Sequence, residues 1–467
     1  MVQRYASYVL PPSQRAGRWS LTMAWYACAS AMIWLVLGGL VASAYGTLDA
    51  LIGLAVTIAS FGVINTVLAR RAARTGLNVT LWSRSLFGSY GSALASLIFA
   101  ATATYYAVFE GSVIAVAFHE YFGGPQLLWY AIIVVYALPL VLGGVQRWLD
   151  RVNGWLLPFY VAGLVAAVVA TIVQQGWSTE WLTLPAPAPE PGAAHVLPGW
   201  LSACLIYMGI WIMMMFTVDY ARFGKPEDER FHGHFTFGWV FYFFTYGVNG
   251  VVGIFLIASW QVPAINEAGL VTAIIKALGL AGLLFVLVSQ TRINTTNYYL
   301  ASTNLGDFVE QVFRVRLPRI VWILVAGACA FALMTTNVLE WLTLALSVQG
   351  VFIVAWVTIA LVHIAITAGK KDELPEVRPS RLKPVTLGAA AWLISVAVGI
   401  PLVLQQEMPL VKELVPLITV VLAGGIYFVF SLVVPPASLK VSELEPGVTL
   451  DTSVSAAAAE PVPAERA

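Results

Sequence analysis

The chain has 467 residues, 59% of them hydrophobic and 10% charged, with a formal net charge of +1 at pH 7. Soluble domains carry roughly 25% charged residues to cover their surface, so this composition excludes an ordinary water-soluble globule. The near-zero net charge leaves no electrostatic footprint for nucleic acid.

Charge comes in bursts between apolar runs long enough to cross a hydrocarbon core about 30 Å thick. Backbone groups in lipid must bond internally, so these runs are predicted as helices. The polar start, residues 1–20, carries Arg4, Arg15 and Arg18 and reads as a cytoplasmic segment rather than a cleavable leader. About twelve spans follow, at 21–45, 49–69, 91–118, 127–145, 155–174, 199–220, 235–259, 278–304, 319–338, 341–367, 385–405 and 413–434. Residues 21–435 form the membrane domain, and the Pro-, Ala- and Glu-rich stretch 436–467 is expected to be a disordered tail.

Lys and Arg alternate between the loops. Loop 2–3 holds Arg70, Arg71, Arg74 and Arg84, loop 4–5 Arg147 and Arg151, and loop 6–7 Arg222, Lys225 and Arg230. Loop 8–9 holds Arg314, Arg316 and Arg319, and loop 10–11 Lys370, Lys371, Arg378, Arg381 and Lys383. The intervening loops have almost none, which places both termini in the cytoplasm of a cell with the chain in its inner or plasma membrane. Lys276, before span 8, is the misfit and suggests a short external amphipathic helix.

A charge inside a span costs several kcal/mol and marks a functional candidate. In span 3, Glu110 lies four residues after Tyr106 and on the same helix face. A carboxylate beside an aromatic suits a flat ring, which stacks on one and donates hydrogen bonds to the other; a structural salt bridge is the plainer use. In span 8, Arg292 shares a face with Thr295 and Thr296, while Asn294 and Asn297 form a neighbouring stripe. Hydroxyl and amide oxygens there suit a monovalent cation or a polar solute, or simply bind helix to helix. Residues 27–31 of span 1 are small and lie between aromatics, Gly209 and Trp211 sit in mid-span 6, and Asp219 marks the cytoplasmic end of that span. Cys28, Cys204 and Cys329 have no metal or disulfide spacing. No nucleophile–base pair or His/Asp/Glu cluster is visible, so an enzyme is not expected.

These segments resemble a known family. TVDYARFGKPED after span 6, TGLNVTLWSRSLFGSYGS before and into span 3, and the TTN of Thr295, Thr296 and Asn297 are similar to motifs of the nucleobase:cation symporter-1 family, which includes the cytosine permeases. The resemblance covers roughly residues 15–435. It implies a LeuT-type fold in which spans 1–5 and 6–10 are inverted repeats, spans 11 and 12 are added, and spans 1 and 6 break near the midplane to bind substrate and ion. It implies a substrate site of Tyr106, Glu110, Gly209, Ile210 or Trp211, and Asn297. It implies a cation site of Ala27, Ser30, Thr295 and Thr296, with Arg292 and Asp219 as coupling or gating candidates. Tyr106 stands where the family has a stacking Trp, and Glu110 where some members have Gln, which favours a donor-rich or cationic ring. Arg292 falls close to the expected sodium position and competes with the ion, so sodium and proton both stand as coupling ions.

The expected function is cation-coupled uptake of a nucleobase or related nitrogen heterocycle by a monomer in the bilayer. An amino-acid or amine transporter on the same fold and a non-transporting receptor are the alternatives. Reporter fusions in the 175–198 loop are expected to read as external; a cytoplasmic signal there would overturn the orientation.

Overall fold

The computed structural model describes residues 9–10, 14–142, 150–187, 197–262, 266–336, 342–368, 373–377 and 381–440. Arg147, Lys370, Lys371, Arg378 and the tail beyond 440 lie outside them. Among the described residues the chain is helical apart from two three-residue strands, β1 (Glu373–Pro375) and β2 (Ser438–Lys440), paired antiparallel with Glu373 opposite Lys440. The second strand falls at the start of the expected tail.

The twelve expected spans map onto helices in order. Among the described residues, seven helices have the length and apolarity of a membrane crossing: Thr47–Thr75, Val79–Phe122, Asn153–Gln175, Pro226–Ser259, Leu344–Ile366, Leu387–Leu404 and Pro409–Val433. They are spans 2, 3, 5, 7, 10, 11 and 12. Two more are bent pairs: span 1 (Arg18–Ser30 with Ile33–Tyr45, 44°) and span 6 (Gly199–Met208 with Ile212–Ala221, 47°). Spans 4 (Gln126–Val141) and 9 (Arg319–Met334) are shorter, and span 8 (Leu280–Phe313) is long but polar in its middle. A twelve-residue helix, Glu267–Leu278, precedes span 8 and carries Lys276 in its last turn. This is a polytopic all-α membrane fold of the LeuT type.

The repeat is visible in where the irregularities fall. Spans 1 and 6 open the two five-span sets, and both are broken. Spans 3 and 8 occupy the same place in each set and are both long, at 44 and 34 residues. They pack along each other more extensively than any other pair. The middle of span 8 is polar and buried, with Gln290, Asn294 and Asn297 on the stripe towards span 3 and Ser289, Arg292 and Thr296 turned to spans 1 and 6, all at most 2% exposed. Large apolar side chains such as Val56, Val63, Val165, Val421 and Leu432 point outward instead, as lipid-facing positions require.

Span 1 is interrupted in its middle although alanine is frequent there, and partners from neighbouring spans hold the interruption open. The first helix ends at Trp25, residues Cys28–Ser30 form a 3-10 turn, and Ala31 is extended (ψ 134°) before Ile33 resumes the helix. The outer half of span 1 lies tight against span 7, backbone on backbone. A Cβ on Gly253 would overlap the Leu35 carbonyl, and one on Gly38 would overlap Gly250. Only glycine allows that approach. In span 3 the helix turns at Gly88 (φ 79°), so Asn78 to Phe87 run apart from the membrane crossing proper.

On the Arg-rich side, an N-terminal strap crosses the ends of spans 2 and 6. Ala16 N–H donates to Phe223 O (2.8 Å), and the Arg15 guanidinium donates to Leu10 O (3.0 Å) and Gly224 O (3.1 Å). Val377 of the span 10–11 loop packs on Leu77 and Leu81, with Val9 beside them.

The span 1–span 7 contact yields a stability test. Gly253→Ala should destabilise the protein by about 1–3 kcal/mol, the cost of forcing a methyl into a closed backbone contact. The check is its melting temperature in detergent against that of Gly425→Ala, a span 12 glycine with open space around it. Equal melting temperatures would contradict the packing.

Candidate functional site

The break in span 1 leaves a run of carbonyls with long 3-10 bonds (Tyr26 O and Ala27 O, 3.3 Å each) or without regular helical ones, in a low-dielectric interior where an unpaired polar group is costly. Each is taken by a donor from the chain. Tyr26 O accepts from Arg292 Nη2 (2.9 Å), Ala27 O from Ser30 Oγ (2.7 Å), and Cys28 O from Trp34 Nε1 (2.7 Å). Ala29 O accepts from Asn249 Nδ2 (2.7 Å), and Ser30 O from the Ser289 hydroxyl. The freed Met32 N–H donates to Gln290 Oε1 (3.0 Å). Spans 7 and 8 thus supply the bonds that the helix gives up.

Arg292 belongs to this network. Its side chain is fully buried, and its guanidinium carbon lies 5.8 Å from the centre of the Tyr160 ring. Tyr160 in turn donates to Asn249 Oδ1 (2.7 Å). Among the described residues, Arg292 Nε and Nη1 have no hydrogen-bond partner. What favours the charge is its place at the carboxyl end of the inner half of span 1, where the helix dipole presents partial negative charge. A bound cation would be favoured at that end for the same reason.

The expected cation-binding residues are each engaged with different partners. Ser30 Oγ donates to Ala27 O and lies 3.2 Å from Ser289 O. Thr295 Oγ1 donates to Arg292 O one helical turn back (2.8 Å), and Thr296 Oγ1 accepts from Tyr220 OH (3.3 Å).

The expected substrate residues separate into two groups. Tyr106, Glu110, Ile210 and Asn297 line one small central pocket together with Ile33, Trp34, Ile212, Met213, Phe216 and Ile293. The two halves of the fold meet here: both broken spans and both long polar ones contribute. Gly209 stands just outside, its carbonyl facing Gln349 Nε2 (3.5 Å), and Gln349 also donates to Tyr106 OH (3.0 Å). Trp211 faces span 2, edge-on to Phe61 at 6.4 Å and 80°, away from the pocket. Of the two span-6 alternatives, Ile210 is the one at the pocket.

Glu110 is the only acid lining the pocket and is 1% exposed. It accepts a hydrogen bond from Gln290 Nε2. One amide therefore joins the carboxylate to the break: its nitrogen serves Glu110 and its oxygen serves Met32. The open volume of the pocket is about 10 Å³, room for roughly one water. A ring enters only if Trp34, Met213 or Phe216 moves aside.

Asp219 is remote from this pocket. Its carboxylate accepts from Val79 N–H (2.7 Å), capping the start of the span 3 helix and tying the inner half of span 6 to it. That bond joins spans 3 and 6 on the Arg-rich side.

Sequence reasoning passed over Gln290, Asn249, Tyr160 and Gln349. Asn249 is a lone amide in the apolar run YGVNGVVG, and Gln290 stands two residues before Arg292. Both are uncharged and carry less of a burial penalty, so neither stood out as Arg292 did.

No protein-family model matches the sequence, and no curated protein matches it. Solved structures do. One is Mhp1, described as a nucleobase-cation-symport-1 family transporter, in a closed conformation with bromovinylhydantoin bound: 16% identity, 92% of this chain and 96% of that one covered, TM-score 0.72. The inward-facing conformation of Mhp1 superposes with TM-score 0.68 at 17% identity, over 93% of this chain and 95% of that one. A Na+-coupled sialic acid symporter in an outward-open state gives 0.64 at 12% identity, over 92% of each chain. At these identities the likeness establishes the fold: a multi-pass LeuT-type architecture over nearly the whole chain.

Proposed function

We propose that the protein is a secondary active transporter that brings a planar nitrogen heterocycle, of the nucleobase class, into the cell. The observation that carries this is the central pocket, where Glu110 and Tyr106 share one face of span 3 and meet Asn297 of span 8 and the breaks in spans 1 and 6. A carboxylate accepts from the N–H edge of a ring, an amide reads a second edge, and the phenol ring offers a stacking face. The similarity to Mhp1 and to the sialic acid symporter supports cation-coupled transport as the mode of action. The membrane is the inner or plasma membrane, with both termini cytoplasmic.

Arg292 supplies the positive charge at the span 1 break, where a coupled metal cation would otherwise sit. The carbonyls there already hold protein donors, and Tyr26 O is bonded by the guanidinium itself. The coupled ion is then a proton taken up on a ring nitrogen from outside, which gives the ring a cationic edge whose N–H donates to the ionised Glu110 carboxylate and leaves with the ring on the inside. Only an ion whose binding favours one conformation can drive uptake, and Glu110 is positioned for that. Through Gln290 its pairing with the ring bears on Met32 and the outer half of span 1.

The same carboxylate and aromatics would hold an organic amine, and a ligand screen separates the readings. Purified protein should show a rise in melting temperature with cytosine, adenine or a hydantoin. Glu110→Gln should weaken binding of the best of them by about 10–150-fold, the equivalent of 1.5–3 kcal/mol for a charge-assisted hydrogen bond. Stabilisation by quaternary amines alone, or unchanged ring affinity in folded Glu110→Gln protein, would contradict the proposal.

A further inference from the structure

A cavity larger than the central pocket lies on its far side from the Arg-rich loops. A chamber of about 440 Å³ lies between the outer halves of spans 1 and 6, span 10 and the facing ends of spans 11 and 12. Tyr45, Pro409 and Gln406, on its rim, are the last residue of span 1, the first of span 12 and part of the loop before it. The chamber therefore opens on the face opposite the Arg-rich loops. Its floor is Gly209, whose carbonyl faces the same Gln349 that donates to Tyr106 in the central pocket. One side chain separates the two spaces.

Its walls are mostly aliphatic, with polar groups on one side. Glu413 of span 12 is half-buried and accepts from the buried Ser202 hydroxyl of span 6 (3.1 Å). Lys412 turns instead to Gln406 Oε1 (3.4 Å), and it makes no ion pair with Glu413 within 4.0 Å. The chamber thus presents a carboxylate, a phenol (Tyr45) and a hydroxyl against apolar walls. That repeats the chemistry of Glu110, Tyr106 and their apolar neighbours. Pockets with a few convergent polar groups on an apolar wall hold small ligands, and 440 Å³ falls in their usual size range.

We propose that this chamber is a second binding site, an external antechamber for a planar ring with a cationic or donor-rich edge, and that Glu413 is its anchor. The ligand class rests on the reading of the central pocket given above; the chamber and its carboxylate do not. In this arrangement a ring arriving from outside takes Glu413 from Ser202. That loosens the Ser202–Glu413 bond between span 12 and the outer half of span 6 while the ring waits above Gly209.

The test uses full-length protein in detergent with Ser347→Cys, an exposed chamber position, on a Cys204→Ser/Cys329→Ser background. Benzamidine serves as the probe, a flat ring with an amidinium edge, and the rate of maleimide labelling is the readout. Benzamidine should slow labelling at least about fivefold. The protection should persist with Glu110→Gln and disappear with Glu413→Gln. Labelling unaffected by benzamidine, or protection that survives Glu413→Gln, overturns the proposal. Protection lost with Glu110→Gln but kept with Glu413→Gln also overturns it, because the label would then report the central pocket. Slowing by added phospholipid but not by benzamidine would assign the chamber to a lipid chain and overturn it as well. A failure of nucleobases to bind the central pocket leaves these outcomes readable, so the two proposals fail separately.

Discussion

The structure depends on one constraint: a transmembrane helix that stops at Trp25 must find partners for the backbone groups it releases. In water those groups would be solvated. In the membrane interior each has to meet a donor or acceptor from a neighbouring span. Arg292, Ser289 and Gln290 of span 8, Asn249 of span 7, and Ser30 and Trp34 of span 1 meet them. This requirement explains why span 8 carries a polar stretch in an otherwise apolar chain. It also accounts for an amide in the middle of span 7, and for glycines that let span 7 reach the outer half of span 1.

The same constraint sets the site. Because the break is held from span 8, and span 8 lies along span 3, Glu110 of span 3 ends up one side chain from the break, with Gln290 between. An amide with both ends engaged has little freedom to turn, so a change at Glu110 is felt by Met32. Arg292 has the opposite character. Among the described residues it donates to Tyr26 O alone, and the rest of its stabilisation is the field of the half-helix end and the Tyr160 ring. A neutral residue there would leave the Tyr26 carbonyl with only its longer bond from Ala29 N–H (3.3 Å) and the helix end without a positive charge, and a monovalent cation is the natural replacement.

Much of the architecture was legible in the sequence because it follows from apolar run length and from charge. The helices appear in the expected order, and the helix carrying Lys276 lies where that misplaced charge suggested. The broken spans were suggested by the family resemblance rather than by the residues, since small residues pack closely far more often than they unwind. Tyr106 and Glu110 were legible because a buried acid in a span is costly. The direction of Trp211 was not, since a one-residue shift across a break rotates a side chain to another face, here to Phe61. Gln290 and Gln349 were hidden by their neutrality. The chamber was hidden because its carboxylate, Glu413, sits near a helix end, where sequence gives no reason to distinguish it from a solvated charge.

The central claim is that Arg292 holds the position of the coupling cation and that a proton on the Glu110–ring hydrogen bond does the coupling. The most direct measurement is uptake, into proteoliposomes, of the nucleobase that most raises the protein's melting temperature. A sodium gradient alone and a proton gradient alone are compared, with wild-type protein and with Arg292→Asn. The account predicts that wild-type uptake runs on the proton gradient without sodium and is abolished by a protonophore, while Arg292→Asn acquires a response to sodium. Wild-type uptake that requires the sodium gradient and is indifferent to a protonophore would contradict it.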